Sequence, residues 1–166
     1  MDFAASKDKF LESWSAMASQ WGISRSMSLV HASLLISPKA SCADVLMDDL
    51  QLSRGSVNTN LRALMDWGLV HKKYLPGERK DHYYAEKDMW TIFRQILIHR
   101  KQKELKPLLD TLQTFSDVEE ESEEAREFST MIRQLRDITH KTDIVLDNIA
   151  QSEDNWFESP FFQMLK

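Results

Sequence analysis

Residues 53–86 read SRGSVNTNLRALMDWGLVHKKYLPGERKDHYYAE, and the rest of the chain can be interpreted from them. Apolar residues recur at helical spacing from Val57 to Met65, which predicts an amphipathic helix. Ser53 is suited to cap its first turn, because a serine hydroxyl there can accept a hydrogen bond from a main-chain N–H. Gly68 is suited to end it, because the residue after a helix often has positive φ, which glycine tolerates.

The opposite face of this helix, 53–68, carries short hydrogen-bonding side chains and two arginines. Its residues are Arg54, Gly55, Ser56, Asn58, Thr59 and Arg62. Asparagine and arginine can form paired hydrogen bonds with base edges in the major groove of DNA, and serine or threonine can reach bases or phosphates. An ordinary solvated helix face explains the same pattern, so the helix alone leaves both interpretations open.

A short hairpin is predicted after the helix. Its strands are expected at 69–75 and 82–85, with proline and glycine, which are typical of turns, between them. The tip, 76–81, carries Arg79 and Lys80. An arginine at such a tip can enter the minor groove, where narrow A·T tracts concentrate negative potential, although a solvated turn is the alternative. A basic hairpin directly after a polar-faced helix indicates the wing of a winged helix-turn-helix protein.

Two motifs in this stretch resemble those of a known family: RGSVN and LR on the helix, and PGERKD at the hairpin tip. In this order they are similar to the MarR-type winged-helix regulators, and in particular to their GbsR/OpcR-like branch. The similarity extends from Phe10 to Leu112. It implies a homodimeric, sequence-specific DNA-binding transcription regulator, with repression as the expected mode. Helix 53–68 would enter the major groove, and 76–81 would lie on the backbone or in the minor groove.

The resemblance adds residues to the set that the helix pattern indicates. The candidate DNA-binding residues are Ser53, Arg54, Gly55, Ser56, Asn58, Thr59, Asn60, Arg62, Lys72, Arg79 and Lys80. One departure is Gln51, which occupies the turn of the helix-turn-helix where the family often has glycine. Some family members respond to small quaternary ammonium compounds, so a small-molecule effector of unknown identity is a further candidate partner. A cation–π cage of tryptophans and tyrosines would suit such a ligand, but core packing explains these aromatics more simply and no ligand residue is assigned.

Charge is distributed unevenly along the chain. The formal net charge is −5, which argues weakly against DNA binding. Residues 53–82, however, hold six basic and three acidic side chains, a balance of +3, whereas 117–127 holds seven acidic and one basic, a balance of −6. The local field steers association more than the sum does, so double-stranded DNA stays the expected partner. A winged-helix adaptor that binds protein and not DNA is the alternative function.

The sequence before this stretch is predicted to be helical. Three helices are expected there, at 3–21, 24–36 and 41–50. The last is expected to begin with a capping box formed by Ser41 and Asp44 and to turn Val45 toward the core. His31 is expected to be a packed histidine and not a ligand. The predicted fold class is therefore mainly α with a small β-hairpin wing, a winged helix-turn-helix over 23–88.

The two ends of the chain, 1–22 and 89–166, are predicted to form long dimerisation helices. An aromatic stripe marks the first helix: Phe10, Trp14, Met17 and Trp21. Pro107 should kink the helix predicted over 87–115. A coiled-coil spacing follows, though a helical bundle fits it equally well: Phe128, Met131, Leu135, Ile138, Thr142, Val145 and Ile149. The apolar tail, 155–165, is expected to dock, since an exposed apolar patch would promote aggregation.

The composition argues against several other classes of protein. No apolar run approaches the roughly 20 residues that a membrane-spanning helix needs, and the first residues lack the apolar core of a secretory signal. A single cysteine, Cys42, rules out an intrachain disulfide and fits a reducing cytoplasm. No histidine lies at metal-ligand spacing from another, and no phosphate-binding loop or catalytic constellation is present. We therefore expect no enzyme activity, no metal, no cofactor and no membrane partner.

Overall fold

The computed structural model describes residues 2–20, 22–115 and 122–152. The chain forms two compact units, Met1–Ile92 and Phe93–Lys166. Its helices are α1 Phe3–Gln20, α2 Arg25–Ile36, α3 Ala43–Leu50, α4 Arg54–Asp66, α5 Met89–Arg100, α6 Lys106–Thr114 and α7 Glu123–Gln151, with a π-helical segment, Lys101–Leu105, before α6. Its strands are β1 Ser41–Cys42, β2 Val70–Lys73 and β3 His82–Ala85. The predicted fold class, mainly α with a small hairpin, is confirmed.

The core of the first unit lies between α2, α3, α4 and the three-stranded sheet. Its most deeply buried side chains include Val30, Leu34, Leu46, Val57, Leu61, Leu64 and Val70. The predicted apolar face of α4 is thus confirmed. The predicted core position of Val45 is wrong, because this side chain is 45% exposed and the next residue, Leu46, points inward from the short helix α3.

Helix α1 packs against α2, but not through the whole of its predicted aromatic stripe. Its buried residues are Leu11, Ser15 and Ala18. The ring of Trp14 lies 5.9 Å from that of His31, whereas Met17 is 40% exposed and Trp21 lies outside the described residues. Burial, with the nearby charge of Lys87, lowers the pKa of His31 from 6.5 to about 4. The interpretation of His31 as a packed histidine is therefore confirmed.

The first helix of the helix-turn-helix begins later than predicted. Ser41 and Cys42 form β1, which pairs antiparallel with Tyr83 and His82 of β3. Cys42 is the N-cap of α3, and its side chain forms no capping hydrogen bond. The predicted capping box of Ser41 and Asp44 is therefore wrong, because the main chain at Ser41 is extended and belongs to the sheet.

In the turn between α3 and α4, Gln51 adopts a backbone conformation that glycine adopts more readily. Gln51 has a φ of 52°, in the left-handed region that non-glycine residues adopt uncommonly. Its Nε2 donates a hydrogen bond to the main-chain oxygen of Asp48 at 2.7 Å. This contact helps a glutamine to occupy a turn where glycine would meet no steric cost.

The sheet has the antiparallel strand order β1-β3-β2. Val70 lies opposite Ala85, and Lys72 lies opposite Tyr83. Directly opposed residues of antiparallel strands point to one face, and faces alternate along each strand, so these four residues share the face on which Val70 and Ala85 are buried. The strand β2 is shorter than predicted, and β3 has the predicted bounds.

In the second unit, α6 and α7 pack against each other. Pro107 lies in the first turn of α6, and the π-helical segment precedes it. There the main-chain N–H of Lys106 donates to the carbonyl of Lys101, one residue farther back than in an α-helix. Proline removes a main-chain donor, so the predicted kink takes the form of this irregular turn. Between the two helices, the rings of Phe115 and Phe128 meet edge-on at 6.1 Å.

Helix α7 turns most of its predicted coiled-coil row outward, but the last residue of that row, Ile149, is buried, with 7% exposure. On the other side of the helix, Lys101 forms ion pairs with Asp143, at 3.0 Å, and with Asp147. The apolar row, which we call the α7 row, is between 43% and 60% exposed and consists of Phe128, Met131, Leu135, Ile138 and Val145. The tail at 155–165 lies outside the described residues. None of the helices in the described ranges is long and apolar enough to cross a membrane.

Candidate nucleic-acid interface

Helix α4 presents its polar face at its start. Ser53 is the N-cap, as predicted, and its hydroxyl accepts a hydrogen bond from the main-chain N–H of Ser56 at 3.2 Å. Of the candidate residues here, Ser53, Arg54, Gly55, Thr59 and Arg62 are exposed, and Ser56 and Asn58 are half-buried. A Cβ added to Gly55 would meet nothing within 4 Å, so the space beside this residue is open. These seven residues are therefore at least partly accessible.

Asn60 does not lie on this face. It is 8% exposed, and its Nδ2 donates to the hydroxyl of Ser56 at 3.3 Å, one turn earlier. The resemblance alone placed Asn60 among the DNA-contacting residues, and its buried position corrects that expectation. Its side chain holds Ser56 in place from within the unit.

The wing tip and α4 line one cleft of about 260 Å³. Arg54 and Asn58 line it from the helix, and Arg79 and Lys80 line it from the wing. Tyr83 of β3 lies between the two sets as part of the same lining. We call this surface the α4–wing cleft. It brings together two groups of candidate residues that the sequence places on separate elements.

Asp44 of α3 lies in the α4–wing cleft and pairs with both sides of it. One carboxylate oxygen accepts from Arg54 Nη2 at 2.7 Å, and the other accepts from Lys80 Nζ at 2.6 Å. The hydrogen bond from Lys80, with the charges of Lys80 and Arg54, holds the pKa of Asp44 below its ordinary value, and the same bond raises the pKa of Lys80. The sequence analysis missed this contact, because it joins residues 10 and 36 positions apart and no local pattern indicates such a contact.

The other basic candidates differ in whether they have an acidic partner. Lys72 pairs with Asp81 at 2.7 Å, and the hydrogen bond that it donates to Asp81 raises the pKa of Lys72. Among the described residues, no ion pair includes Arg62 or Arg79. A phosphate can therefore engage these two arginines without displacing a carboxylate.

A second, larger cleft of about 810 Å³ has a positively charged lining. His82 and Tyr84 of β3 line it, together with Lys72 of β2. Lys39 and Lys73 also line it, and their charges disfavour a quaternary ammonium ligand there. Within the described ranges, no group of three or more His, Cys, Asp or Glu side chains is placed to hold a metal ion.

Known proteins resemble the chain in sequence and in fold, although no protein-family model matches it. The HTH-type transcriptional repressor GbsR of Bacillus subtilis (strain 168) is 26% identical to it over 107 residues, which are 63% of this chain and 59% of that protein. A solved structure of a transcriptional regulator has a TM-score of 0.67 and 20% identity, and the match covers 87% of this chain and 95% of that chain. The chain has the winged-helix fold and resembles the MarR-type regulators.

In this fold, α3 and α4 are the helix-turn-helix, and β2 and β3 form the wing. A solved MarR family transcription regulator matches less well, with a TM-score of 0.41 and 16% identity over 86% of this chain and 87% of that chain. The match to GbsR spans less than two thirds of the length of that protein. The family resemblance that the two sequence motifs indicated is confirmed.

Proposed function

We propose that this protein is a homodimeric, sequence-specific DNA-binding transcription regulator that acts as a repressor. Helix α4 would enter the major groove, and the wing tip would lie on the backbone or in the minor groove. The observation that carries the proposal is the α4–wing cleft, where the polar start of a helix and a basic hairpin tip share one exposed surface. A duplex presents base edges and phosphates side by side, so it offers a partner to each part of that surface.

The side-chain types at the start of α4 support reading of base edges. Asn58 and Arg54 line the cleft together, and these two residue types pair with adenine and guanine in the major groove. Gly55 adds no side chain at the helix start, so a phosphate can approach the free main-chain N–H groups there. Thr59 and Arg62 extend the same exposed surface into the next turn.

The wing supports binding to the backbone or minor groove. Arg79 is exposed at the hairpin tip, and no carboxylate among the described residues neutralises it. A guanidinium that is free in this way is attracted to the strong negative potential of a narrow minor groove. The wing would then fix the position of α4 on the duplex, while α4 supplies most of the sequence preference.

The α7 row supports the homodimer. Covering an apolar row at coiled-coil spacing with a second helix is favourable, because it removes apolar area from water. A copy of the same row is a complementary partner. Two copies of α4 held by such a dimer would read two half-sites about one helical turn apart, which implies a near-palindromic operator. GbsR is by name a transcriptional repressor, and this supports repression as the mode of action.

Fluorescence anisotropy with a labelled duplex from immediately upstream of the protein's own coding sequence tests the proposal. We expect saturable binding, tighter than to a scrambled duplex of the same length and composition. The affinity should fall by about 0.9 log unit per log unit of salt for each neutralised phosphate. Binding to neither duplex at low salt would contradict the proposal and would favour the adaptor function. Equal binding to both would remove sequence specificity from it.

A further inference from the structure

Asp44 joins three elements of the first unit through one carboxylate. It lies on α3, and its two oxygens accept from Arg54 of α4 at 2.7 Å and from Lys80 of the wing at 2.6 Å. The side chains of Arg54 and Lys80 remain 67% and 63% exposed, and that of Asp44 is 32% exposed. All three residues line the α4–wing cleft, so the contact lies on the surface that a phosphate would approach.

This contact is poorly suited to stabilising the fold. Ion pairs between exposed side chains contribute little to stability, because water solvates the separated charges almost as well. The pKa of Asp44 is held low and that of Lys80 is raised, so both groups stay charged at neutral pH. What the contact changes is the binding surface, since a carboxylate occupies donors that a DNA phosphate would otherwise engage.

We propose that Asp44 is a specificity-determining residue that competes with DNA phosphates for Arg54 and Lys80. The inference rests on the proposed function. On a random duplex, where binding consists of phosphate contacts, this competition lowers the affinity. On the operator, the same carboxylate benefits binding, because it holds the Arg54 guanidinium in one orientation and so reduces the conformational freedom lost on contact with a base.

The geometry allows Arg54 to bind Asp44 and a base edge at the same time. Only its Nη2 donates to Asp44, and a guanidinium has further N–H donors in a fixed fork. Arg54 can therefore remain on Asp44 while its other donors face a base edge. Lys80 has a single ammonium group, so the competition with phosphate is most direct there. Asp44 thus increases the ratio of operator affinity to random-duplex affinity.

The test is Asp44→Asn, which removes the charge and keeps the size of the side chain. Asp49→Asn is the matched control on the same helix, because Asp49 is exposed and forms no ion pair within the described residues. Both variants lose one negative charge, so a general electrostatic effect would appear in both. Fluorescence anisotropy on the upstream and scrambled duplexes, at several salt concentrations, measures the affinities. Circular dichroism checks that each variant is folded.

We expect Asp44→Asn to bind the scrambled duplex about three- to tenfold more tightly than the wild type, with a salt slope steeper by about 0.9 for each released cation that gains a phosphate. Asp49→Asn should change this affinity less than about twofold, because salt screens a distant charge. The upstream-duplex affinity of Asp44→Asn should rise less, so the specificity ratio falls. Adding Lys80→Ala to Asp44→Asn should remove much of the gain.

Unchanged or weaker binding of the scrambled duplex by folded Asp44→Asn would overturn the inference and leave the proposed function intact. A wild-type protein that binds no duplex would overturn both. If Asp44→Asn does not fold, Lys80→Ala supplies the test from the other side of the contact. Because Lys80 is already paired, its loss should reduce scrambled-duplex affinity less than Arg79→Ala does, and an equal reduction would overturn the inference.

Discussion

The α4–wing cleft and the α7 row are both exposed, but they differ in chemistry. The cleft is lined by charged and short polar side chains, whereas the row consists of apolar side chains between 43% and 60% exposed. Burial of apolar area away from water is favourable, whereas a charged surface is well solvated without a partner. We infer that the row is suited to a lasting contact and the cleft to a reversible, salt-sensitive one.

The lysines of the two regions show the same contrast. Lys101 is 16% exposed and ties the π-helical segment to Asp143 of α7, so its charge is committed to the second unit. Lys80 is 63% exposed and pairs with one carboxylate, that of Asp44, in the α4–wing cleft. A phosphate can compete for the second lysine but not for the first without opening the helix pair. The two pairs therefore have different roles despite similar distances.

The largest effect is expected at the α7 row. Leu135→Asp with Ile138→Asp places two carboxylates among apolar side chains, and each should weaken self-association by about 2 kcal/mol or more. Sedimentation velocity should then show monomers, whereas we expect dimers for the wild type, and operator binding should fall with the loss of the second half-site. His140→Asp adds a charge to the same helix outside the row and should leave the dimer intact. A double variant that stays dimeric would contradict the role given to α7.

The next largest effect is a pH dependence of stability, which we expect in the first unit, where His31 lies. His31 has a pKa of about 4 in the folded protein against an ordinary 6.5. The unfolded chain therefore takes up the proton first as the pH falls, and stability is lost between about pH 6.5 and about pH 4. The loss should reach about 3 kcal/mol in the first unit.

Urea unfolding followed by circular dichroism across this range measures the effect of His31. His31→Gln should remove most of the pH dependence, because glutamine has no proton to bind. His140→Gln, an exposed histidine of α7, should retain it. The same pH dependence in His31→Gln and in the wild type would show that other groups control the acid sensitivity of the first unit.

Within the cleft, Arg79 should matter more than Arg54. Arg79→Ala is expected to weaken operator binding by about 1–3 kcal/mol and to reduce the salt slope by about 0.9. Arg54→Ala should reduce random-duplex affinity less, because Asp44 already balances that charge. Anisotropy titrations of both variants, with Arg126→Ala on α7 as the control for a lost positive charge, measure the difference. The reverse order would show that ion pairing does not govern access to these arginines.

The smallest effects are expected from variants at the starts of α4 and α7. Ser53 and Ser122 each accept a hydrogen bond from the main-chain N–H three residues later, in both cases at 3.2 Å. Ser53→Ala and Ser122→Ala should each destabilise their own unit by about 1 kcal/mol. Hydrogen exchange followed by mass spectrometry should show faster exchange at α4 in the first variant and at α7 in the second. Faster exchange at one helix in both variants would contradict their independence.

Short-range signals predicted α4 and the wing well. The spacing of apolar residues, the cap at Ser53 and the proline–glycine turn each act within a few residues of one another. Asp44 was assigned a local capping role, because its partners Arg54 and Lys80 lie 10 and 36 residues away in the sequence. Asn60 shows the same limit, since packing turned inward a residue that the family pattern placed on the DNA side. Contacts between distant segments were therefore what the sequence left unpredicted.

The proposed function requires the exposed start of α4 to touch the duplex. A photoreactive p-benzoylphenylalanine in place of Thr59, which is exposed on α4, can report that contact, with the same group in place of the exposed His140 on α7 as the control. On irradiation with the labelled upstream duplex, we predict a covalent protein–DNA adduct from position 59 and none from position 140. Adducts from position 140 alone, or from neither position, would contradict DNA recognition by α4.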